Sequence, residues 1–405
     1  MHVPLLDLKL QYATIQHEIE PVLLQLMSSQ SLILGREVEK LEKISADYCN
    51  TEYAIGVSSG TDALLMALMA LNIGPGDEVI VPTYSFFATA GVVSRLNAIP
   101  VFTDVDPVTL NITAKEIEQA ITKQTKAIIV VHLYGQSADM DSIMSIANAH
   151  NIPVIEDCAQ AIGTQTKDGR KVGSIGIMGC FSFYPTKNLG AFGDAGLITT
   201  QSKELYEHLV QMRNHGQIER YKHGFVGGNF RIDAMQAAVL SIKFPYLESW
   251  HAARRRNAQL YTSLFCEAGL SQQSGITIFD EHNKVLLPGT PNSSEHVHNH
   301  HIFNQFVIRV QYRNALRAFL TEHGIGTEIY YPIPFHKQPC FLDLPSSSKS
   351  FPVSDCASTD VLALPIFPEL QESQIQQVVN VIVEFYQTKV LALEKECKDC
   401  NCGCL

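Results

Sequence analysis

The chain reads as an α/β protein: a large domain built on a mostly parallel sheet between helices, followed by a smaller C-terminal α+β domain. Three observations carry that expectation. Short runs of strand length alternate with helical stretches through the first half of the chain. Those runs are apolar throughout rather than alternating, as in strands covered on both faces. And 405 residues with 46% hydrophobic content suffice for more than one core.

Taken in order, Tyr53-Ala54-Ile55-Gly56-Val57 is a strand, and Thr61 through Leu71, rich in Ala, Leu and Met, is a helix. Val79-Ile80-Val81, Ile99-Pro100-Val101-Phe102, Ala127 to Val131 and Ile152-Pro153-Val154-Ile155 supply further buried strands, and Cys180-Phe181-Ser182-Phe183 another. Near Trp250 the charge pattern changes, and His251 to Arg256 reads as a helix leading into the smaller domain, with Ile302 to Val310 as one of its strands. The large domain is thus expected over 1–248 and the small one over 249–390. A tail at 391–405, with Cys397, Cys400, Cys402 and Cys404, is expected to be disordered.

Residues of chemical interest cluster at the ends of these strands. Ligands of open α/β sheets bind outside the carboxyl ends of the strands, and Glu156-Asp157 follows the run at 152–155. A carboxylate there can hold a heterocyclic N–H, although Asp after a strand also serves as a helix N-cap. Thirty residues on, Lys187 stands in Ser182-Phe183-Tyr184-Pro185-Thr186-Lys187-Asn188, ahead of a Gly-rich stretch. Framed by aromatics and glycines, it suits a lysine desolvated enough to act as a nucleophile. A lysine and a carboxylate so placed are the parts of pyridoxal 5'-phosphate (PLP) chemistry: an imine to the aldehyde, and a partner for the ring nitrogen. Gln160 could donate to the cofactor's phenolic oxygen. Ser58-Ser59-Gly60 opens a helix whose first N–H groups, at Thr61 and Asp62, would receive the phosphate. The Walker and Gly-x-Gly-x-x-Gly patterns are absent.

Several ordered stretches resemble the DegT/DnrJ/EryC1/StrS family of sugar aminotransferases, within the aspartate-aminotransferase superfamily of fold type I. They include Gly60-Thr61-Asp62-Ala63-Leu64, Pro82-Thr83-Tyr84-Ser85-Phe86, His132-Leu133-Tyr134-Gly135-Gln136, Glu156-Asp157-Cys158-Ala159-Gln160, Gly228-Asn229-Phe230-Arg231 and Tyr331-Pro332-Ile333-Pro334-Phe335-His336. The resemblance implies that Lys187 is the Schiff-base lysine and Asp157 the ring-nitrogen partner. It implies Gln160 on the phenolic oxygen, Phe86 stacked on the ring, and Ser182 on the phosphate beside Gly60, Thr61 and Asp62. Asn229 would reach the phosphate of the neighbouring subunit in a homodimer. Arg231, Tyr330, Tyr331 and His336 would meet the sugar nucleotide. Phe86 could equally be a core residue, and the Tyr-Pro loop a packing element. Two departures from the family pattern are Thr186 and the Asp194-Ala195-Gly196 turn, where Ala195 could stiffen a loop that glycine would leave free.

By that resemblance the enzyme moves an amino group from an amino acid, L-glutamate, to a UDP- or dTDP-linked keto-sugar. The resemblance leans toward members that aminate C3, through Tyr330 to Pro334 and Arg213 to Gly216, and so implies a 3-keto substrate and a role in lipopolysaccharide or other cell-surface glycan assembly. Amination at C4 is the alternative. A PLP-dependent sugar dehydratase would resemble this chain with histidine in place of Lys187, and a non-catalytic sensor would be expected to lose Lys187 or Asp157. A net charge of -11 speaks against nucleic acid as partner, so Arg254-Arg255-Arg256 is expected to be a solvated helix face. With neither a secretory nor a membrane-spanning run, the cytoplasm is the expected compartment, its cysteines reduced. No metal site is assigned: His296, His298, His300 and His301 are expected in an exposed loop.

Overall fold

A computed structural model gives the structure of residues 2–289 and 297–389. Seven strands form the main sheet: β1 (Tyr53–Val57), β2 (Glu78–Pro82), β3 (Ile99–Thr103), β4 (Thr125–Val131), β5 (Val154–Asp157), β6 (Met178–Ser182) and β7 (Gly196–Thr200). Their spatial order is β1-β7-β6-β5-β4-β2-β3. β2, β3, β4, β5 and β6 pair in parallel, whereas β7 runs antiparallel to both its neighbours. The apolar runs become strands because both faces are covered: Val79, Ile80, Val81, Ile128, Ile129 and Ile155 are all fully buried.

Helices pack on the two sides. In chain order they are α1 (Leu8–Ser29), α2 (Arg36–Cys49), α3 (Gly60–Ala70), α4 (Ala88–Arg95), α5 (Ala114–Ala120), α6 (Met140–Ala149), α7 (Lys203–Arg213) and α8 (Ala234–Lys243). A short hairpin, β8 (Gln217–Glu219) with β9 (Lys222–His223), projects after α7. The long α9 (Leu247–Glu267) then leads to a three-stranded antiparallel sheet of β10 (Val285–Leu286), β11 (Phe306–Val310) and β12 (Val361–Leu364). With α10 (Arg313–Glu322), α11 (Pro352–Asp360) and α12 (Glu372–Thr388) interleaved, this sheet has its own core of Tyr261, Phe306, Ile308, Leu362 and Phe385. Val3 belongs to that second core, exchanging main-chain bonds with Gly324 and Gly326 at 2.9 and 2.8 Å. The N-terminal arm therefore packs with the C-terminal sheet. No helix among the described residues is long and apolar enough to cross a membrane.

Several expectations are corrected. The run at 152–155 becomes a strand two residues later, so Glu156 and Asp157 close β5 instead of following it. The expected strand at 302–310 begins only at Phe306. The preceding residues instead tie down to the segment after β4, where Ile302 N donates to Gly135 O (3.0 Å) and Asn304 N to Tyr134 O (2.9 Å). Arg254 is not solvated: it is 3% exposed, while Arg255 is half-buried and Arg256 exposed. His300 and His301 are buried, His301 lying flat on Phe303. His296 and the cysteine-rich tail lie outside the described residues.

Candidate active site

Asp157 ends β5 at the centre of the sheet, 5% exposed. Thr89 Oγ1 donates to its Oδ2 at 2.8 Å, and Ala159 N to Oδ1 at 3.2 Å. Burial raises its pKa, against the pull of these donors and of the Lys187 charge. Glu156, next to it, faces the other way. His132 Nε2 and the N–H groups of Gly173, Ile175 and Gly176 all donate to its carboxylate, at 3.0, 2.9, 2.8 and 2.7 Å. Burial pushes the Glu156 pKa up, but these donors outweigh it and hold the group below the ordinary range. His132 Nδ1 accepts from Ala138 N, so its proton sits on Nε2. His132, Glu156 and Cys158 lie close enough for a metal, yet the carboxylate and imidazole are already satisfied by protein donors, so the cluster is a structural network.

Lys187 follows β6 through the turn Phe183-Tyr184-Pro185-Thr186 and is half-buried. Loss of hydration lowers its amine to about 8, with Asp157 pulling the other way. The loop carrying it is tied down at several points. Lys187 N donates to Tyr184 O, Ala191 N to Phe183 O (2.8 Å), and Asn188 Nδ2 to Ile302 O (3.2 Å). From α8, buried Lys243 donates to Gly190 O at 2.7 Å, and Gln236 bonds the Phe192 main chain.

The anion cup forms where β1 turns into α3. Ser59 caps the helix, its Oγ accepting from Asp62 N at 3.0 Å, while Ala63 N donates to Ser59 O. The Asp62 N–H, expected to face the phosphate, is thus engaged in the cap. Among the described residues the N–H groups of Gly60 and Thr61 remain without an acceptor. Two glycines make the cup possible. A Cβ on Gly60 would meet Ser182 Cβ at 2.6 Å, and one on Gly196 would collide with the Ser59 main chain. Ser182 closes the cup at the end of β6 and accepts from Tyr184 N at 3.3 Å. Ala195 adopts ordinary negative φ and is buried, so the alanine strains nothing.

On the opposite wall, Gln160 Oε1 accepts from Tyr134 N at 2.6 Å, which turns its NH2 toward Tyr331 Oη (3.0 Å) and into the site. Phe86 is 57% exposed, unusual for a phenylalanine, with its ring 6.2 Å from that of Tyr331. Tyr84 Oη and Tyr134 Oη both donate to Tyr330 O and so hold the Tyr-Tyr loop. Beside it lies a pocket of about 370 Å3 lined by Phe86, Phe87, Tyr330, Tyr331 and Ile333. A second, of about 450 Å3, is lined by Ile33, Ser58, Asp194, Asn229 and Arg231. Arg231 Nη1 donates there to Asn214 Oδ1 (2.6 Å) and its Nε is left without a partner.

His336 departs from expectation. It is 5% exposed, Nδ1 bonded to Thr83 Oγ1 (2.9 Å) and Nε2 to Asp355 Oδ1 (3.0 Å). With both nitrogens committed it braces the loop rather than meeting a ligand. Three residues escaped the sequence reading: Thr89, Tyr134 and Lys243. Thr89 lies four residues after Ser85 on a helix start, Tyr134 inside a motif already noted, and Lys243 inside an apolar run, which was the available signal.

The parts fit pyridoxal phosphate. A buried carboxylate lacking a hydrogen-bonded cation, an exposed aromatic face, a cup shaped for an anion and a desolvated lysine converge at the carboxyl ends of β2, β5 and β6. The fold and these residues define a PLP-dependent transaminase of fold type I. The chain matches the model of the DegT/DnrJ/EryC1/StrS aminotransferase family over residues 13–383 and belongs to that family. It is 46% identical to a "pleiotropic regulatory protein" of Geobacillus stearothermophilus, covering 96% of this chain and 99% of that one. It is 44% identical to the UDP-N-acetyl-3-dehydro-alpha-D-glucosamine 3-aminotransferase of Acidithiobacillus ferrooxidans, over 94% and 97%. Among solved structures it is similar to Streptomyces venezuelae DesV, with a TM-score of 0.87 and 38% identity, covering 95% of this chain and 98% of that one.

Proposed function

We propose that the enzyme transfers an amino group from L-glutamate to a nucleotide-diphosphate-linked keto-sugar, UDP- or dTDP-linked and carrying its ketone at C3, for cell-surface polysaccharide or lipopolysaccharide assembly. The observation that carries this reading is the pair Lys187 and Asp157, facing one site beside an open, aromatic-lined pocket of about 370 Å3. The 44% identity to an enzyme named as a 3-aminotransferase of a UDP-linked sugar supports the nucleotide and the ring position. Retention of both Lys187 and Asp157 favours catalysis over a sensor role, and a lysine at 187 disfavours the dehydratase.

When bound, pyridoxal phosphate supplies the electron-withdrawing ring that acidifies the C–H bond next to the transferred nitrogen. The chain does the rest. Asp157 would pair with a ring N–H, Gly60, Thr61 and Ser182 would receive the phosphate, and Phe86 would cover one face. Gln160 donates from Nε2. Lys187 Nζ would hold the aldehyde and, once freed, would take the proton from the donor's α-carbon and return it to the carbon on the far side of the transferred nitrogen. An amine whose pKa is about 8 gives it back easily near neutral pH.

The reading includes a cytoplasmic homodimer. Exposed Leu24, Met27, Ile33, Phe192 and Val226 are apolar surface that a second copy would cover, with Asn229 and Arg231 in the groove beside Ile33. The six described cysteines are all free thiols, as in a reducing compartment. The test is incubation with PLP, glutamate and UDP- or dTDP-linked 3-keto sugars, with products assigned by NMR. An amine at C3 supports the proposal, and an amine at C4 or no amination contradicts it.

A further inference from the structure

Where the chain leaves β2 and winds into α4, two buried hydroxyls stand beside the aromatic residue expected on the cofactor ring. Ser85 and Thr89 are four residues apart, and Thr89 N donates to Phe86 O at 3.1 Å, so the segment has already begun its helical turn. That spacing puts the two side chains on one face. Phe86 and Phe87, between them, are exposed, whereas Ser85 and Thr89 are buried. The rotation of the turn is fixed from outside: the Phe87 ring stacks on Phe341 and lies so close to Gly91 that a Cβ there would meet it at 2.9 Å.

A threonine in a helix commonly turns its hydroxyl back to a carbonyl of the preceding turn. Thr89 instead donates from Oγ1 to Asp157 Oδ2 at 2.8 Å, across to the end of β5. A hydroxyl has one proton, and Thr89 spends it on the carboxylate. Ser85 Oγ, 3.0 Å from Thr89 Oγ1, is therefore the donor in that contact. The hydrogen bonds run in one direction, from Ser85 through Thr89 to Asp157. A buried carboxylate stays charged only where donors or opposite charge compensate the lost water. Ala159 N offers a longer bond, at 3.2 Å to Oδ1, and Lys187 acts through its field alone. Thr89 is thus the closest donor to the carboxylate, and a hydroxyl that itself accepts a bond donates more strongly.

We propose that Thr89, backed by Ser85, is the positioning residue that keeps Asp157 ionised and its carboxylate aimed at the cofactor's ring nitrogen. The inference rests on the PLP reading of the site and adds to it what holds the ring-nitrogen partner. An ionised Asp157 keeps the ring N–H in place, and the ring draws electrons best in that form. Because its main-chain N–H also holds Phe86 O, Thr89 ties the partner of the ring nitrogen to the segment that covers the ring face.

The test loads the enzyme with PLP carrying 15N at the ring nitrogen and reads its NMR shift with no substrate present. Wild type is expected at the position of a protonated pyridine. Thr89→Val, which keeps the shape and removes the hydroxyl, is expected to move the signal toward the unprotonated position, and Thr89→Ser to return it. With glutamate, the single-turnover absorbance change should slow about tenfold to a hundredfold in Thr89→Val and about two- to tenfold in Ser85→Ala, with little change in half-saturating glutamate. An unmoved 15N signal in Thr89→Val, whatever happens to its stability or PLP uptake, would make Thr89 a packing residue and overturn the proposal. An unprotonated ring nitrogen in wild type would overturn it too. If Thr89→Val does not fold, Ser85→Ala must show the same shift at smaller size, and its absence sinks the chain of donors. Should wild type bind PLP and ignore every amino donor, the transaminase reading fails, while the 15N shift still decides the role of Thr89.

Discussion

Replacing Lys187 by methionine should make the cofactor-free protein more stable. The native amine has been pulled from 10.5 to about 8 by loss of water around it, net of the attraction of Asp157. At about 1.4 kcal/mol per tenfold change in proton affinity, that is a penalty of about 3 kcal/mol for holding the charged form. The sign follows from a folded-state pKa below the unfolded one. The penalty is complete below pH 8, where both states are protonated, and is relieved as pH rises from about 8 toward 10.5. Methionine keeps an unbranched apolar stem, and the lowered pKa owes nothing to a hydrogen bond of the amine, so no bond is lost with it. Denaturant titrations of the cofactor-free proteins should show Lys187→Met ahead by up to about 3 kcal/mol at pH 7, shrinking to less than about 1 kcal/mol at pH 10. A variant no more stable than wild type at pH 7, or an advantage indifferent to pH, would refute the idea that this lysine is held desolvated for its chemistry.

Other positions give sharper signs of their role. Asp157→Asn should still bind PLP at Lys187, yet lose about 10^2- to 10^4-fold in single-turnover rate with glutamate, because the ring nitrogen loses its anion. Gly196→Ala should destabilise by about 1–3 kcal/mol and weaken PLP affinity, since its Cβ would strike the Ser59 main chain that shapes the cup; equilibrium PLP titration reads the second effect. Lys243→Met should speed hydrogen exchange at residues 187–193 and lower kcat with little change in KM, through release of Gly190 O. Glu156, with its lowered pKa, contributes stability that is present above the ordinary carboxylate pKa and lost as pH falls through its folded value. Glu156→Gln should therefore lose stability at pH 7, and its deficit should narrow in acid melts.

Much of this was legible in the residues. The strands of the large sheet follow from unbroken apolar runs, and β1 begins and ends where its sequence says, between the polar Asn50-Thr51-Glu52 and the small-residue turn Ser58-Ser59-Gly60. Lys187, Asp157 and Gly60 stand out in the sequence by strand-end position and small neighbours, and the family resemblance adds Ser182; the structure brings Gly60 against Ser182 and Lys187 near Asp157. What could not be read depends on long-range packing. Ile302 to Gln305 has strand composition, but the pull of Gly135 and Tyr134 carbonyls keeps it irregular. Arg254 looked solvated because its neighbours are charged, while the carbonyls that draw it inside come from residues 303, 304 and 366. His336 lies in a motif that points to ligand contact, yet Thr83 and Asp355, far off in sequence, claim both its nitrogens.

The central claim is that Lys187 carries PLP and passes an amino group from glutamate. An absorption spectrum of the PLP-loaded enzyme, before and after glutamate, tests it most directly. Wild type should show a band near the visible edge that moves to shorter wavelength when glutamate is added, and Lys187→Ala should show neither the band's wild-type position nor the move. A wild-type band indifferent to glutamate, or a glutamate response that survives loss of Lys187, would contradict it.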